Sequence, residues 1–486
     1  MTKFEISRRH FVQASAAGTL ALSGFSRATG SAQRRPNIVF ILADDMGYAD
    51  ISANSRSSVA TPNIDRIAQS GINLRQAYAN SAVCSASRLA LITGRYQYRL
   101  PLGLEEPLTS ADVGLDPEIP TLPSLLRDAG YNTALVGKWH LGGLPDYGPL
   151  KSGYDHFFGF RSGAVDYFTH KTLGGQPDLW DGTVPTSQVG YMTNILGERA
   201  TDMIDEFAQS ARPFFLSVHF SAPHWPWETE EDREEARRLE EAGAMPQGDP
   251  ANPTLRHWDG GSRKIYESMI ATMDRQVGRI IDTLQARGLW DDTIVVFTSD
   301  NGGERFADVW PFSGQKSELL EGGIRVPALM SWPAFLPHGV VNQQVNLTMD
   351  WMPTLLSAAG AEPAPDYPSD GIDLLPMLRN DIAPQNRQVF WRYKANNQRA
   401  MRDGNYKYLK IAGNTFLFNV VEDPLERANL KFREPATFER LQETWKQWNA
   451  GMLPEQDDTF TEGVLAQTQA DHIGANETIK TADPGD

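Results

Sequence analysis

The amino-acid sequence predicts an α/β fold: a mainly parallel sheet flanked by helices, plus a smaller antiparallel sheet with a helix near the C-terminus. Continuous apolar runs at 38–42, 131–136, 212–220 and 293–298 are typical of strands that are buried on both faces. Between such runs lie helical patterns, clearest at 264–287, where apolar residues recur every three or four positions. This alternation favours a doubly wound sheet.

The segments between these strands carry helix boundary signals. Thr61 is placed as an N-cap, with Pro62 at the first helical position, and residues 72–78 follow as a strand. Residues 84–92 form a further helix, which Gly94 closes. The highly charged residues 228–262 are predicted to be a solvated insertion with one short helix.

From about residue 380 the pattern changes to short strands separated by turns such as Asp403-Gly404. The predicted elements are strands at 388–393, 399–402, 406–411 and 415–420 and a helix at about 436–450. We therefore divide the chain into a main domain, 33–379, and a C-terminal subdomain with a polar tail, 380–486.

The N-terminus resembles a twin-arginine export signal, which we assign to residues 1–32. Arg8 and Arg9 precede a modest apolar stretch, 11–25, that is too short to span a bilayer stably, and small residues follow it. We expect the twin-arginine translocase as a partner, a periplasmic or secreted product, and no membrane anchor in the mature protein.

Composition excludes some classes of function. The formal net charge of −16 argues against binding nucleic acid through phosphate neutralisation. It also means that an anionic substrate needs a local positive pocket. A single cysteine in 486 residues rules out an intrachain disulfide and a multi-cysteine zinc site. Cys84 is therefore either an inert buried residue or a reactive one.

Two polar clusters follow predicted strands. Asp44 and Asp45 come after the first strand, and Asp300 and Asn301 come after the strand at 293–298. Each alone is typical of a turn, but the ends of parallel strands meet at one edge of a sheet. Together they predict a hard oxygen site, suited to Ca²⁺ or Mg²⁺ and not to zinc.

Cys84 opens a predicted helix, and Arg88 lies one turn further on the same face. Free amide groups and the helix dipole favour negative charge at such a position, so the sequence predicts an acidic, reactive thiol. An anion beside residue 84 would meet both the helix end and a guanidinium group.

This segment resembles the maturation motif of type I sulfatases in the alkaline phosphatase superfamily, in which a Cys followed by x-Pro-x-Arg is oxidised to formylglycine. The other motifs of that family occur in the same order between residues 36 and 327: Asp44-Asp45, Gly137-Lys138-Trp139-His140, Pro223-His224-Trp225-Pro226, Ser299-Asp300-Asn301-Gly302 and Gly314-Gln315-Lys316. The sequence departs from the family pattern at Ala86, where the family usually has proline, which bears on which maturation enzyme acts.

The resemblance implies a sulfatase that hydrolyses carbohydrate or aryl sulfate monoesters through a formylglycine hydrate, with 33–379 as the catalytic domain. It implies the metal ligands Asp44, Asp45, Asp300, Asn301 and an oxygen of the modified Cys84. Arg88 and Lys138 are implied to stabilise the hydrate. His140 is the implied base that breaks down the sulfated intermediate, and His224 and Lys316 contact the sulfate and the departing alcohol. A formylglycine-generating enzyme is an implied partner.

Other functions stay open from the sequence. A phosphonate or phosphate ester hydrolase would use the same aldehyde and metal. A non-catalytic sugar-binding relative would keep Cys84 unmodified. A two-zinc phosphatase would need additional His and Asp ligands, which the sequence does not let us place.

Overall fold

The structure is a computed structural model that describes residues 35–54, 59–172, 174–241 and 261–463. The predicted signal peptide, most of the charged insertion and the end of the polar tail lie outside these residues. The strands are β1 (Asn37–Ala43), β2 (Gly71–Leu74), β3 (Ala77–Tyr78), β4 (Asn132–Lys138), β5 (His156–Phe160), β6 (Trp180–Asp181), β7 (Val184–Pro185), β8 (Phe214–His219), β9 (Thr293–Ser299), β10 (Ala328–Ser331), β11 (Val340–Asn342), β12 (Asn346–Leu347), β13 (Gln388–Tyr393), β14 (Gln398–Asp403), β15 (Tyr406–Ile411) and β16 (Asn414–Asn419). The helices are α1 (Pro62–Gln69), α2 (Cys84–Thr93), α3 (Leu122–Asp128), α4 (Met192–Phe207), α5 (Arg233–Glu241), α6 (Arg263–Ala286), α7 (Glu321–Ile324), α8 (Trp351–Ala359), α9 (Leu375–Leu378) and α10 (Pro435–Asn449).

The large sheet has the strand order β11-β2-β10-β9-β1-β8-β4-β5-β6-β7 within the described ranges. Its centre, β9-β1-β8-β4-β5, is entirely parallel, and β10, β6 and β7 add antiparallel strands towards the edges. The predicted mainly parallel α/β fold is confirmed.

Helices cover both faces of the sheet because alternate residues of β1 point to opposite sides. Val39 and Ile41 pack with α1, α4 and α6 in one apolar core. Ile38 and Phe40 pack with α2, α3, α8 and α9 in another. This double coverage explains why the central strands read as continuous apolar runs.

The predicted strand at 72–78 is wrong in one respect, because it divides into β2 and β3. The backbone leaves the large sheet at Arg75, whose N–H donates to Asn342 and whose guanidinium donates to the carbonyls of Ala53 and Asn54. β3 then pairs with β12 instead. No local pattern signals this break, because the partners of Arg75 are distant in the chain.

The four strands β13 to β16 form the predicted antiparallel sheet, and α10 packs on it through Leu441 and Trp445. The sheet also contacts the main domain directly. Its Trp391 donates from Nε1 to the carbonyl of Ala79, and its core includes Ala86 of α2. The described part of the charged insertion contains the short helix α5. No helix among the described residues combines the length and apolar character needed to cross a bilayer.

The N-terminus of α1 is capped from a distant helix. Thr61 occupies the N-cap position as predicted, but its side chain does not cap the helix. Instead, one carboxylate oxygen of Asp274, in α6, accepts hydrogen bonds from the backbone N–H groups of Asn63 at 3.0 Å and Ile64 at 2.8 Å. Asp274 therefore satisfies two donors that the helix leaves unpaired.

We expect Asp274→Ala to lower the free energy of unfolding by about 1–3 kcal/mol, because two backbone N–H groups at the start of α1, one of them fully buried, lose their acceptor. Denaturant titration measures the change. Asp282→Ala is the control: Asp282 lies on the same helix but pairs with Arg66 on the surface, so the expected loss is below about 0.5 kcal/mol. Equal losses in the two variants would contradict the capping role.

Candidate active site

The carboxyl ends of the central parallel strands converge on one buried cluster. Asp44 and Asp45 follow β1, Asp300 and Asn301 follow β9, and Lys138 ends β4. The same edge receives His140 after β4, His224 after β8, and the N-terminus of α2 with Cys84 and Arg88. Every one of these side chains is buried. This is the edge at which ligands bind in open α/β sheets.

The acidic side chains surround residue 84. Ligand atoms of Asp44, Asp45, Cys84 and His224 all lie within 4.8 Å of one another. Asn301 donates from Nδ2 to Asp45 at 2.7 Å, which joins the two strand ends. Asp45 has a left-handed backbone, φ 61°, that turns its side chain into the cluster.

Each carboxylate has a buried cationic partner. Lys138 Nζ lies 2.5 Å from Asp44, and Lys316 Nζ lies 2.7 Å from Asp45. Arg88 contacts Asp300 through Nε at 3.0 Å and Nη2 at 2.8 Å. Burial would raise the pKa of Asp45, but Lys316 and His224 outweigh it and hold that pKa below its ordinary value.

The structure corrects the predicted acidity of the Cys84 thiol. Burial raises its pKa well above the ordinary value, and the opposing effect of Lys138 and Lys316 is smaller. The prediction considered the helix N-terminus and Arg88 but could not count the desolvation of residue 84 or the neighbouring Asp44 and Asp300.

Two buried oxygen atoms of the cluster fit a cation. Asp44 Oδ1 and Asn301 Oδ1 have no hydrogen-bond partner in the described part of the chain, although both side chains are buried. A buried acceptor without a donor is costly unless something positive meets it. Because the available donors are mostly carboxylate and amide oxygens, the residues suit Ca²⁺ or Mg²⁺.

Hydrogen bonds define the proton positions of the two predicted catalytic histidines. His140 Nε2 lies 2.9 Å from the carbonyl of Leu108, which can only accept, so Nε2 carries the proton and Nδ1 is a free lone pair. His224 Nδ1 donates in the same way to the carbonyl of Trp225 at 2.6 Å, and its Nε2 faces Lys316 Nζ at 3.3 Å. Burial lowers the pKa of both imidazoles, that of His224 to about 3.

The two tryptophans that follow His224, Trp225 and Trp227, differ in burial. Trp227 is buried and packs edge-on against Phe306, with ring centroids 4.7 Å apart. Trp225 is only half-buried and lies 4.8 Å from the His224 ring. Only Trp225 is therefore placed to meet a ring that enters beside His224.

Sequence reasoning missed two ionisable groups beside the cluster. His219, the last residue of β8, directs Nδ1 to the carbonyl of Lys138 at 3.1 Å and lies 3.4 Å from Arg88 Nη1. Glu304 is half-buried, and desolvation raises its pKa to about 8. An ionisable residue closing an otherwise apolar strand was the available signal for His219, whereas Glu304 looked like part of a turn.

Comparison with known proteins decides the family. The family model described as Sulfatase matches residues 36–361. The chain belongs to the sulfatase family. This sulfatase, a sulfuric ester hydrolase of the alkaline phosphatase superfamily, is 32% identical over 414 residues to the N-acetylgalactosamine-6-sulfatase of Mus musculus, a match that covers 80% of the chain and 74% of its relative.

Solved structures agree with this family. The sulfatase is similar to Ps i-CgsB in complex with k-i-k-neocarrahexaose, with a TM-score of 0.76, 28% identity, and coverage of 88% of the chain and 95% of the neighbour. A phosphonate monoester hydrolase of Agrobacterium radiobacter has the same fold at 22% identity and a TM-score of 0.59, covering 86% and 96%.

We expect His219→Asn to reduce the acid sensitivity of the sulfatase. Burial and the charge of Arg88 lower the pKa of His219 well below its ordinary value, so the folded state keeps this imidazole neutral. The unfolded chain takes up a proton below about pH 6.5, and stability is lost as the pH falls. As the pH falls below about 5.5, the free energy of unfolding of wild type should decrease more steeply than that of His219→Asn. The two slopes should differ by about 1.4 kcal/mol per pH unit.

Urea unfolding at a series of pH values measures the two slopes. Asparagine can still donate to the Lys138 carbonyl, so the test isolates the titration from the hydrogen bond. His338→Asn, at an exposed position, is the control and should leave the slope unchanged. Parallel slopes for wild type and His219→Asn would contradict the prediction.

Proposed function

We propose that this sulfatase hydrolyses sulfate monoesters of carbohydrates with a formylglycine made from Cys84 and a bound Ca²⁺ or Mg²⁺. The observation that carries the proposal is the position of residue 84. Cys84 is the first residue of α2, and its sulfur lies within 4.8 Å of ligand atoms of Asp44, Asp45 and His224. Cys84 is a free, buried cysteine, and its position among these ligand atoms suits the precursor of a nucleophile.

Asp44, Asp45, Asp300, Asn301 and an oxygen of the modified residue 84 would hold the metal ion. A cation held by these residues would polarise an oxygen of the anionic ester. Hydrated formylglycine supplies an attacking hydroxyl and a second hydroxyl whose deprotonation allows sulfate to leave. Arg88, one turn into α2, and Lys138, the last residue of β4, stabilise negative charge beside residue 84.

The leaving alcohol needs a proton, and Lys316 is placed to donate it. Lysine has three N–H donors; Lys316 directs one towards Asp45 and one towards His224 Nε2, which leaves a third for the substrate. His224 is held by its bond to the Trp225 carbonyl and so orients Lys316 rather than carrying a donatable proton on Nε2. This refines the role that the resemblance implies for His224.

His140 is the proposed base for sulfate release. Its Nε2–H is committed to Leu108, so the basic lone pair is on Nδ1. Gly163 leaves room for the His140 ring in this orientation. A Cβ at position 163 would lie only 2.8 Å from Cε1 and Nε2 of the imidazole. The neutral imidazole is ready to accept a proton at ordinary pH.

The relatives support a sugar as the alcohol. One is named N-acetylgalactosamine-6-sulfatase, and one solved neighbour is in complex with k-i-k-neocarrahexaose. Trp225 offers a half-buried aromatic face next to His224 on which a ring can stack.

Export and maturation complete the proposal. Arg8 and Arg9 with the following apolar stretch support transport of the folded protein by the twin-arginine translocase to the periplasm or the medium. A formylglycine-generating enzyme would have to modify Cys84 before transport, because the residue is buried after folding.

The test compares nitrophenyl sulfate, phosphate and phosphonate as substrates and measures residue 84 by mass spectrometry. We expect a converted residue 84, a kcat/KM that is highest for the sulfate, and loss of turnover in Cys84→Ala and after removal of divalent cations. A lead of phosphate or phosphonate by orders of magnitude would assign the alternative hydrolase. Bound sugar without turnover by the converted protein would assign the sugar-binding alternative.

Lys316→Gln should affect substrates according to their leaving groups. A sugar alkoxide departs poorly without a proton, so we expect kcat/KM for a sugar sulfate to fall by about 10²–10⁴-fold. Nitrophenolate leaves more easily, so the loss with nitrophenyl sulfate should be much smaller. Lys446→Gln, an exposed lysine of α10, is the control. Equal losses for the two substrates would rule out Lys316 as the proton donor.

Ala86→Pro should increase the converted fraction in a host whose maturation enzyme acts on Cys-x-Pro-x-Arg. Ala86 is the third residue of α2, where a backbone N–H has no partner within the helix, so proline is compatible with the fold. Mass spectrometry of the peptide that contains residue 84 measures the fraction. An unchanged fraction in the folded variant would show that Ala86 does not limit maturation.

A further inference from the structure

A cavity of about 420 Å³ adjoins the proposed catalytic base. His140 lines this cavity, together with hydroxyl and amide side chains such as those of Thr109, Ser162 and Gln176. This volume is within the range of small-molecule sites. Neutral polar groups of this kind suit a hydroxylated ligand.

Arg161 is the cationic group of this cavity, and the backbone ties it to His140. It directly follows β5, and its carbonyl accepts a hydrogen bond from the N–H of His140 at 3.1 Å. A shift of one residue therefore moves the other. A ligand group bound by Arg161 would have a defined position relative to the base.

The Arg161 side chain is held in place but keeps donors available. Nε donates to Asp178 at 3.2 Å, and the guanidinium lies 5.2 Å from the centre of the Trp180 ring. Asp178 is fully buried and also accepts from the N–H of Ser162 and from Trp180 Nε1. In the described ranges Nη1 and Nη2 of Arg161 have no hydrogen-bond partner, and 27% of the side chain is exposed.

Arg161 brings a partly exposed positive charge to the wall of the cavity, which it shares with its partner Asp178. Asp178 is buried and accepts several N–H groups, whereas Arg161 keeps part of its side chain exposed where it lines the cavity. A guanidinium that is fixed by one carboxylate and stacked on an aromatic ring binds a second planar or tetrahedral anion through paired N–H groups.

From these observations we infer that Arg161 binds a second anionic group of the substrate, so that the sulfatase prefers sugars carrying a carboxylate or sulfate in addition to the sulfate that is cleaved. The inference rests on the proposed function, because it places the sugar of the same reaction in this cavity. It gives the negatively charged protein a local means of holding a multiply charged substrate.

The experiment compares three substrates of the converted, metal-loaded enzyme: nitrophenyl sulfate, N-acetylgalactosamine 6-sulfate and N-acetylgalactosamine 4,6-disulfate. We expect wild type to prefer the disulfate over the monosulfate, mainly through a lower KM, and to lose this preference as salt rises. Arg161→Gln should reduce the ratio of kcat/KM for the disulfate to kcat/KM for the monosulfate by about tenfold to a hundredfold. Arg161→Lys should retain an intermediate preference.

Arg287→Gln is the matched control, because Arg287 also donates from Nε to an aspartate, Asp205, but lies at the surface end of α6. It should keep the wild-type ratio. The midpoint of thermal unfolding is measured for each variant, and if Arg161→Gln does not fold, the ratio for Arg161→Lys and the salt dependence of wild type decide.

Each result has a distinct meaning. Turnover of all substrates without a preference for the disulfate, or an unchanged ratio in Arg161→Gln, overturns the inference and leaves the proposed function standing. Equal loss of kcat on every substrate shows a structural role and also overturns it. Failure of the converted wild type to hydrolyse any sulfate ester overturns the proposed function itself.

Discussion

The pairing of buried charges at the carboxyl edge of the sheet constrains the rest of the molecule. An isolated charge in a protein interior is strongly disfavoured, so every carboxylate there needs a cation, a metal or several hydrogen bonds. The three pairs are Asp44 with Lys138, Asp45 with Lys316, and Asp300 with Arg88. They draw on β1, β4, β9, α2 and the loop before α7, and these elements must meet for any pair to form.

This balance also explains how the cluster accepts its proposed ligands. With three negative and three positive side chains, the cluster is neutral in the pairing described above. A divalent cation adds two positive charges, and an anionic nucleophile together with a singly charged sulfate monoester removes them. The acceptors Asp44 Oδ1 and Asn301 Oδ1 give the cation oxygen atoms that no protein donor occupies within the described residues.

The C-terminal antiparallel sheet packs against the elements that hold this site. Trp391 and its neighbours pack against α2, which carries residue 84. Lys407, buried in β15, donates to Glu321 at 3.0 Å and pairs with Glu426 at 2.9 Å. Glu321 begins α7, directly after the loop that holds Lys316. Lys407 and Arg325 keep the pKa of Glu321 below its ordinary value despite its burial, so Glu321 stays charged.

The sequence by itself determined the central strands β1, β4, β8 and β9, the long helix α6, the antiparallel sheet with α10, and the ordered motifs that identify the family. These features are local: period, caps and strand-end residues are written in neighbouring positions. Only the tertiary structure decided that residues 72–78 divide at Arg75 and that Asp274 caps α1. It alone also decided that the Cys84 thiol is less acidic than its helix position suggests, and that Arg161 shares a cavity with His140. Each of these depends on desolvation or on a partner far away in the chain, and neither quantity is encoded in a short stretch of residues.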